Sequence, residues 1–170
     1  MTENQVKTGA GVGIGIAVGA IVLAALAILG LVLVGVIGIL AAIAIPNFVT
    51  MQLKAKRSEV PGYVDGLKTA EVSYNAAFDG YVPVGSREEA EQQLRWNGEE
   101  PRAWEGGGDW EKLGWMPSGL VRGAYWVEVS SDGEHFTVYG LCDVDGDGVL
   151  AEYTATASES AYLITDRNTY

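Results

Sequence analysis

The chain has 170 residues and a mass of 18.0 kDa, enough for one ordinary domain or a small domain with an accessory segment. It is 48% hydrophobic yet carries a net charge of −11. The two properties separate along the chain: residues 1–57 set Lys7, Lys54, Lys56 and Arg57 against Glu3, for +3, and residues 58–170 carry −14. An acidic part of that size repels phosphate backbones and argues against a nucleic-acid partner. One cysteine, Cys142, leaves no internal disulfide framework and no cysteine-based zinc site. One histidine, His135, leaves little material for histidine catalysis.

A short polar tail, residues 1–8, comes first. No charged residue then occurs between Lys7 and Lys54, and residues 9–45 are Gly, Ala, Val, Ile and Leu alone. A spanning helix needs about 20 apolar residues, so residues 9–53 read as a membrane-spanning helix in contact with lipid. The run exceeds the apolar core of a cleaved signal peptide, about 7–15 residues, so a retained span is expected. At 1.5 Å per residue, residues 9–45 give a helix of roughly 55 Å, longer than a bilayer core of about 30 Å. Some of it must project, tilt or pack on partners. A two-span hairpin turning near Gly30 is the alternative. Gly15 and Gly19 form a GxxxG pair, which permits close helix approach in lipid, although glycine is frequent in such helices anyway. Lys54, Lys56 and Arg57 follow the span, so the positive-inside rule places the C-terminal part in the cytoplasm.

Residues 37–48 read IGILAAIAIPNF. The segment resembles the N-terminal helix of type IV pilins and of the pseudopilins of type II secretion. The continuation, VTMQLKAKRSEVPGYVDGLKTAEVSYNAAFDGY, is similar to the amphipathic helix that follows in that family. The resemblance implies an α+β fold: a long N-terminal membrane helix continuing into a helix packed on a small antiparallel sheet. It implies a single-pass protein of the inner (cytoplasmic) membrane with its C-terminal domain periplasmic or on the cell surface, opposite to the charge rule. Gly38, Ile45, Pro46, Asn47 and Phe48 then serve helix packing, bending and assembly with pilin-like subunits or assembly machinery. Aligned back from Pro46, the family's leader glycine falls on Ala24, its aromatic residue on Ala25 and its glutamate on Leu29. The usual prepilin cleavage site is therefore not matched, and an unremoved leader is expected.

The soluble head is read as residues 54–170. Its helix covers 54–79. Val60, Val64, Leu67, Tyr74 and Phe78 recur on one face, with Lys68, Glu71 and Asn75 off the stripe or at its edge. Pro46 should kink the long helix and Pro61-Gly62 should break it into two pieces, because proline removes a donor and crowds the preceding turn. Residues 80–118 read as a Trp/Gly-rich loop region with Gly85, Gly98, Gly106, Gly107, Gly108 and Gly114. Within it, Ser86 and Glu89 fit a capping box before the helical AEQQLRW. Trp96, Trp104, Trp110 and Trp115 either anchor this loop to the sheet or, through Trp104 and Trp110, bind a surface ligand. Residues 119–170 read as an antiparallel sheet, with strands at 125–129, 136–143, 149–156 and 162–164.

The turn Asp143-Val144-Asp145-Gly146-Asp147-Gly148 carries the clearest chemistry. Alternating carboxylates, Asp143, Asp145 and Asp147, with glycine at the sixth place echo the start of a calcium loop. Thr154 stands where the full loop needs a bidentate glutamate, and an acidic Asp-Gly hairpin explains the pattern without an ion. His135 has no catalytic constellation around it, Cys142 reads as a packed strand residue, and neither GxxxxGK[ST] nor HExxH occurs. The expected function is that of a non-enzymatic, pilin-like structural or accessory subunit, minor and non-polymerising, of a pilus or type II secretion-like filament system. The alternative is a membrane-anchored extracytoplasmic binding module that uses the tryptophan-rich loops.

Overall fold

The computed structural model describes residues 3–97 and 100–170, the side chains of residues 3–14, 96 and 97 excepted. Gly98 and the side chain of Trp96 thus lie outside the described part. The chain divides into two compact units, Met1–Val49 and Thr50–Tyr170.

The first unit is the apolar part of helix α1 (Glu3–Arg57). Its described apolar side chains are largely exposed: Leu31 is 74% exposed, and Ile16, Ile21, Leu40 and Ile45 are also exposed. Among the described residues, one helical stretch is long and apolar enough to cross a membrane. This fits a single-pass anchor. Pro46 lies inside α1, which stays helical on both sides of it.

The second unit is an α+β head of pilin-like architecture. Helix α2 (Glu59–Phe78) lies on a four-stranded antiparallel meander of β1 (Ala124–Val129), β2 (Phe136–Cys142), β3 (Ala151–Thr156) and β4 (Tyr162–Leu163), in that order across the sheet. The strands fall close to their expected places. β3 begins at Ala151, leaving Val149 exposed in the turn. The interruption between helices comes at Ser58, before Pro61-Gly62. Pro61 sits in the first turn of α2, where the missing N–H has no intrahelical partner to lose. Ser58 keeps a helical backbone (φ −63°, ψ −12°), and its hydroxyl bonds the Ala55 carbonyl at 2.7 Å.

Side chains alternate across the sheet, so each strand supplies both faces. Tyr125, Val127, Val138, Cys142 and Tyr153 meet Val60, Val64 and Leu67 of α2. Each fully buried aliphatic side chain is worth about 1.5–3 kcal/mol. Gly140, opposite Tyr125 and Tyr153, lets α2 approach: a Cβ there would stand 2.6 Å from Val64 Cγ2 and 2.8 Å from Val60 Cγ1. The opposite face is covered too. Helix α3 (Arg87–Asn97) buries Ala90 and Leu94 against Ala124, Trp126 and Leu141. The Ser86 hydroxyl accepts from the Glu89 N–H at 3.2 Å, the N-cap half of the expected capping box.

Two expectations for α2 are corrected. Phe78 is 70% exposed, with its ring against that of Tyr74. Glu71, expected off the stripe or at its edge, is fully buried. Residues 80–118 hold more than loop and α3. They also contain α4 (Asp109–Leu113) and two isolated bridges, Val84 to Val127 and Arg102 to Val121.

The edges of α2 hold the connecting loops by bonds from side chain to backbone. Glu59 Oε1 accepts from the Arg122 N–H at 2.7 Å, and Asp65 Oδ1 accepts from the Ala161 N–H at 2.8 Å. Lys68 Nζ donates to the Glu159 carbonyl at 2.9 Å. At the end of α1, Arg57 donates to the carbonyls of Arg167 and Thr169 and lies over the Tyr170 ring.

Candidate functional site

Three sets of residues are the candidates for function. The first is the stretch Gly38, Ile45, Pro46, Asn47 and Phe48 on α1. Ile45 and Phe48 are exposed, and nothing lies within 4 Å of a Cβ built on Gly38. A stretch of this kind offers area and close approach to another helix or to lipid, and no reactive group.

The second is the β2–β3 turn. The carboxylates of Asp143, Asp145 and Asp147 each bring an oxygen within 4.8 Å of the others. Asp143 organises the turn: Oδ1 accepts from the Gly146 N–H at 2.8 Å and Oδ2 from the Gly148 N–H at 3.1 Å. Gly146 and Gly148 take φ of 72° and 81°, the left-handed region that glycine enters without steric cost. Asp147 Oδ1 accepts from the Val149 N–H at 2.8 Å. Asp145 Oδ1 is buried and has no hydrogen-bond partner. Burial, followed by the nearby Asp147 charge, raises the Asp145 carboxyl above its ordinary range. The donor set is hard oxygen, suited to calcium. Glu152 stands apart from it, taken by Arg87 through both carboxylate oxygens.

The third is the tryptophan cluster. Trp104 meets Trp110 and Trp115 edge to face, with centroids 4.9 and 5.4 Å apart and planes at 87° and 88°. Trp115 also packs edge-on to Tyr63 and Tyr125. These contacts join the glycine-rich loop to α2 and the sheet, so the anchoring role is present. A cavity of ≈ 390 Å³ opens beside the cluster, bounded by Trp104, Gly106, Trp110, Glu111, Trp115 and Met116. Met116 is 76% exposed. The buried Trp104 Nε1 has no hydrogen-bond partner. Both tryptophans expected to meet a ligand, Trp104 and Trp110, line this cavity.

His135 is exposed in the β1–β2 turn near Asp132 and Glu134. The Asp132 Oδ1 already accepts from the Ser130 hydroxyl and the Glu134 N–H, and these bonds hold its carboxyl below the ordinary range. Cys142 is buried as expected, and burial pushes its thiol up to about 12, far from the thiolate a nucleophile needs. Glu71 and Arg87 were not visible as key residues in the sequence. Only a polar residue at a core-facing helical position could have flagged Glu71.

The chain is similar to the type IV major pilin protein PilA of Myxococcus xanthus (strain DK1622), 45% identical over 51 residues. The similarity covers 30% of this chain and 23% of that protein, so the chain matches about a quarter of its relative's length. No protein-family profile and no solved structure matches.

Proposed function

We propose that this chain is a non-enzymatic, type IV pilin-like structural or accessory subunit. It works by packing its apolar helix against lipid and against other pilin-like subunits or their assembly machinery. The observation that carries the reading is the exposed apolar length of α1, from Ile16 to Met51, in a chain whose head has the α+β arrangement of a pilin. The partial likeness to a major pilin supports it. Apolar area of that extent requires lipid or neighbouring helices.

A minor, non-polymerising subunit is the finer reading. Its support is Leu29, at the place where the family carries a glutamate that pairs with a neighbour's amine. A buried pairing of that kind sets register, and leucine cannot provide it. The subunit belongs to the inner membrane, with the head periplasmic or on the cell surface. Electron microscopy of the purified full chain mixed with a polymerising pilin tests assembly. Co-assembly without filaments of the chain alone is expected, and no association with any pilin-like subunit overturns the reading. Protease added to spheroplasts should remove the head; cleavage only after lysis places it in the cytoplasm.

A second reading is favoured by the cavity beside Trp104 and Trp110: a membrane-anchored binding module that holds a surface ligand there. Filaments argue for the first reading, and a ligand lost in Trp104→Ala argues for the second. We also propose that Asp143, Asp145 and Asp147 take a structural calcium ion that pins the β2–β3 turn. The support is their convergence and the unpartnered Asp145 oxygen.

A further inference from the structure

We propose that Glu71 is a pH-sensitive latch between α2 and the strap at residues 81–84: its neutral carboxyl seats the strap, and its ionised carboxylate loosens it. The side chain is 0% exposed. Oε2 accepts the Val82 N–H at 3.0 Å, while Oε1 is buried without a partner. Two residues on, Val84 exchanges both backbone bonds with Val127, N–H to O at 3.2 and 2.8 Å, along the outer edge of β1. The carboxyl thus sits at the root of the segment that covers this sheet edge.

A buried carboxylate is tolerated when paired with a cation or fully hydrogen-bonded, and Glu71 has neither arrangement. On α2, Glu59, Asp65 and Lys68 are engaged with the backbone of other loops. On the sheet face toward α2 the titratable groups are Tyr125, Cys142 and Tyr153. The strap adds Tyr81, the α2 C-terminus adds Asp79, and α2 itself adds Tyr63 and Tyr74. On α4, Lys112 is taken by Asp109 at 2.5 Å, and Glu111 is exposed. None of these charges governs Glu71. Burial pushes its carboxyl up to about 7, opposed only by the Val82 N–H.

The sign follows from linkage. Below the ordinary carboxylate range, folded and unfolded chains are both protonated and the group costs nothing. As pH rises past about 4.5 the unfolded chain ionises first, so stability falls until the folded carboxyl ionises near 7. A folded head then recovers hydration by admitting water at Oε1, which unseats the strap.

The test uses the full chain in detergent micelles. Between pH 5 and pH 8 the unfolding constant of the wild type should rise on the order of a hundredfold. Corrected hydrogen-exchange protection at Val82, Val84 and Val127 should fall over the same range. Glu71→Gln, uncharged at every pH, should lose most of that pH slope. Equal slopes in wild type and variant, or unchanged protection at the three amides, overturns the latch. Should Glu71→Gln fail to fold, carbon NMR of the wild-type Glu71 carboxyl decides. A midpoint near neutrality supports the latch, and one in the ordinary carboxylate range overturns it.

Discussion

Arg87 grips Glu152 with both prongs of its guanidinium, Nη1 to Oε1 at 2.9 Å and Nη2 to Oε2 at 2.8 Å. The pair joins the first turn of α3 to β3. Arg87 also bonds Glu91 at 3.0 Å and lies over the Trp126 ring, which itself stacks on Tyr139. The hydrogen bonds to Glu152 are the main reason its guanidinium is held above its ordinary range. One side chain therefore fastens α3 to the sheet face that α2 leaves open. Glu152 is mostly buried, while Arg87 is half exposed and reached by solvent screening. Arg87→Ala should cost about 1–2 kcal/mol in a urea melt. Arg87→Lys should restore only part of the loss, because an ammonium cannot make the planar two-pronged contact. Full rescue by lysine would show that charge alone matters.

Gly140→Ala should destabilise the head by about 1–3 kcal/mol, since the added methyl meets Val60 and Val64 below contact distance. Val64→Ala made in the same chain should return part of the loss, as the two positions share one space. Thermal melts of the four variants of this cycle check the coupling. Strict additivity would mean that the α2–sheet approach is not the cause.

Asp79 holds φ 54° and ψ 41° at the end of α2, where its N–H bonds the Asn75 carbonyl at 2.9 Å. A left-handed backbone costs an L-residue roughly 1–2 kcal/mol and glycine little. Asp79→Gly should therefore leave stability unchanged or raise it slightly, and Asp79→Val should lower it. Chemical denaturation of both variants distinguishes this from a role for the Asp79 carboxylate, in which both would be destabilised.

Calcium should raise the melting temperature of the full chain at neutral pH, and Asp145→Asn should remove that increment. Without calcium the same substitution should be neutral or stabilising, because it relieves crowding among three carboxylates. The raised Asp145 carboxyl gives the pH sign: the calcium-free turn weakens as pH rises through the carboxylate range. An identical calcium response in wild type and Asp145→Asn would remove the ion from this turn.

Trp104→Ala should destabilise the head by about 3–5 kcal/mol if the cluster is anchoring only, since it removes edge-to-face partners of both Trp110 and Trp115. Met116→Ala, at an exposed edge of the same cavity, should leave the melting temperature near that of the wild type. A surface ligand held there would lose affinity in Met116→Ala without loss of fold.

The sequence by itself determined whatever depends on local pattern. The uncharged run up to Lys54 dictates an apolar helix, because only a closed intrahelical bond set satisfies the backbone in lipid. Alternation and Asp-Gly turns located the four strands within about two residues, and Ser86 marked the start of α3. The turn 143–148 was legible as an acidic cluster because its ligands are neighbours in the chain. Trp104 and Trp110 were legible as a concentration of rings, though not as the wall of a cavity.

Tertiary structure decided the rest, because those relationships join residues far apart in sequence. Phe78 belongs to the helical stripe, yet the fold leaves it exposed. Glu71 reads as off the stripe or at its edge but is fully buried, where it accepts the Val82 N–H of the strap. The break fell at Ser58 and spared Pro61, because a first-turn proline gives up a bond the helix never makes. Nothing local in Arg87 or Glu152 foretold that α3 would cover the second face of the sheet. Helical period reports which residues share a face; only packing reports what covers it, and burial then sets the charge state of a carboxyl such as Glu71.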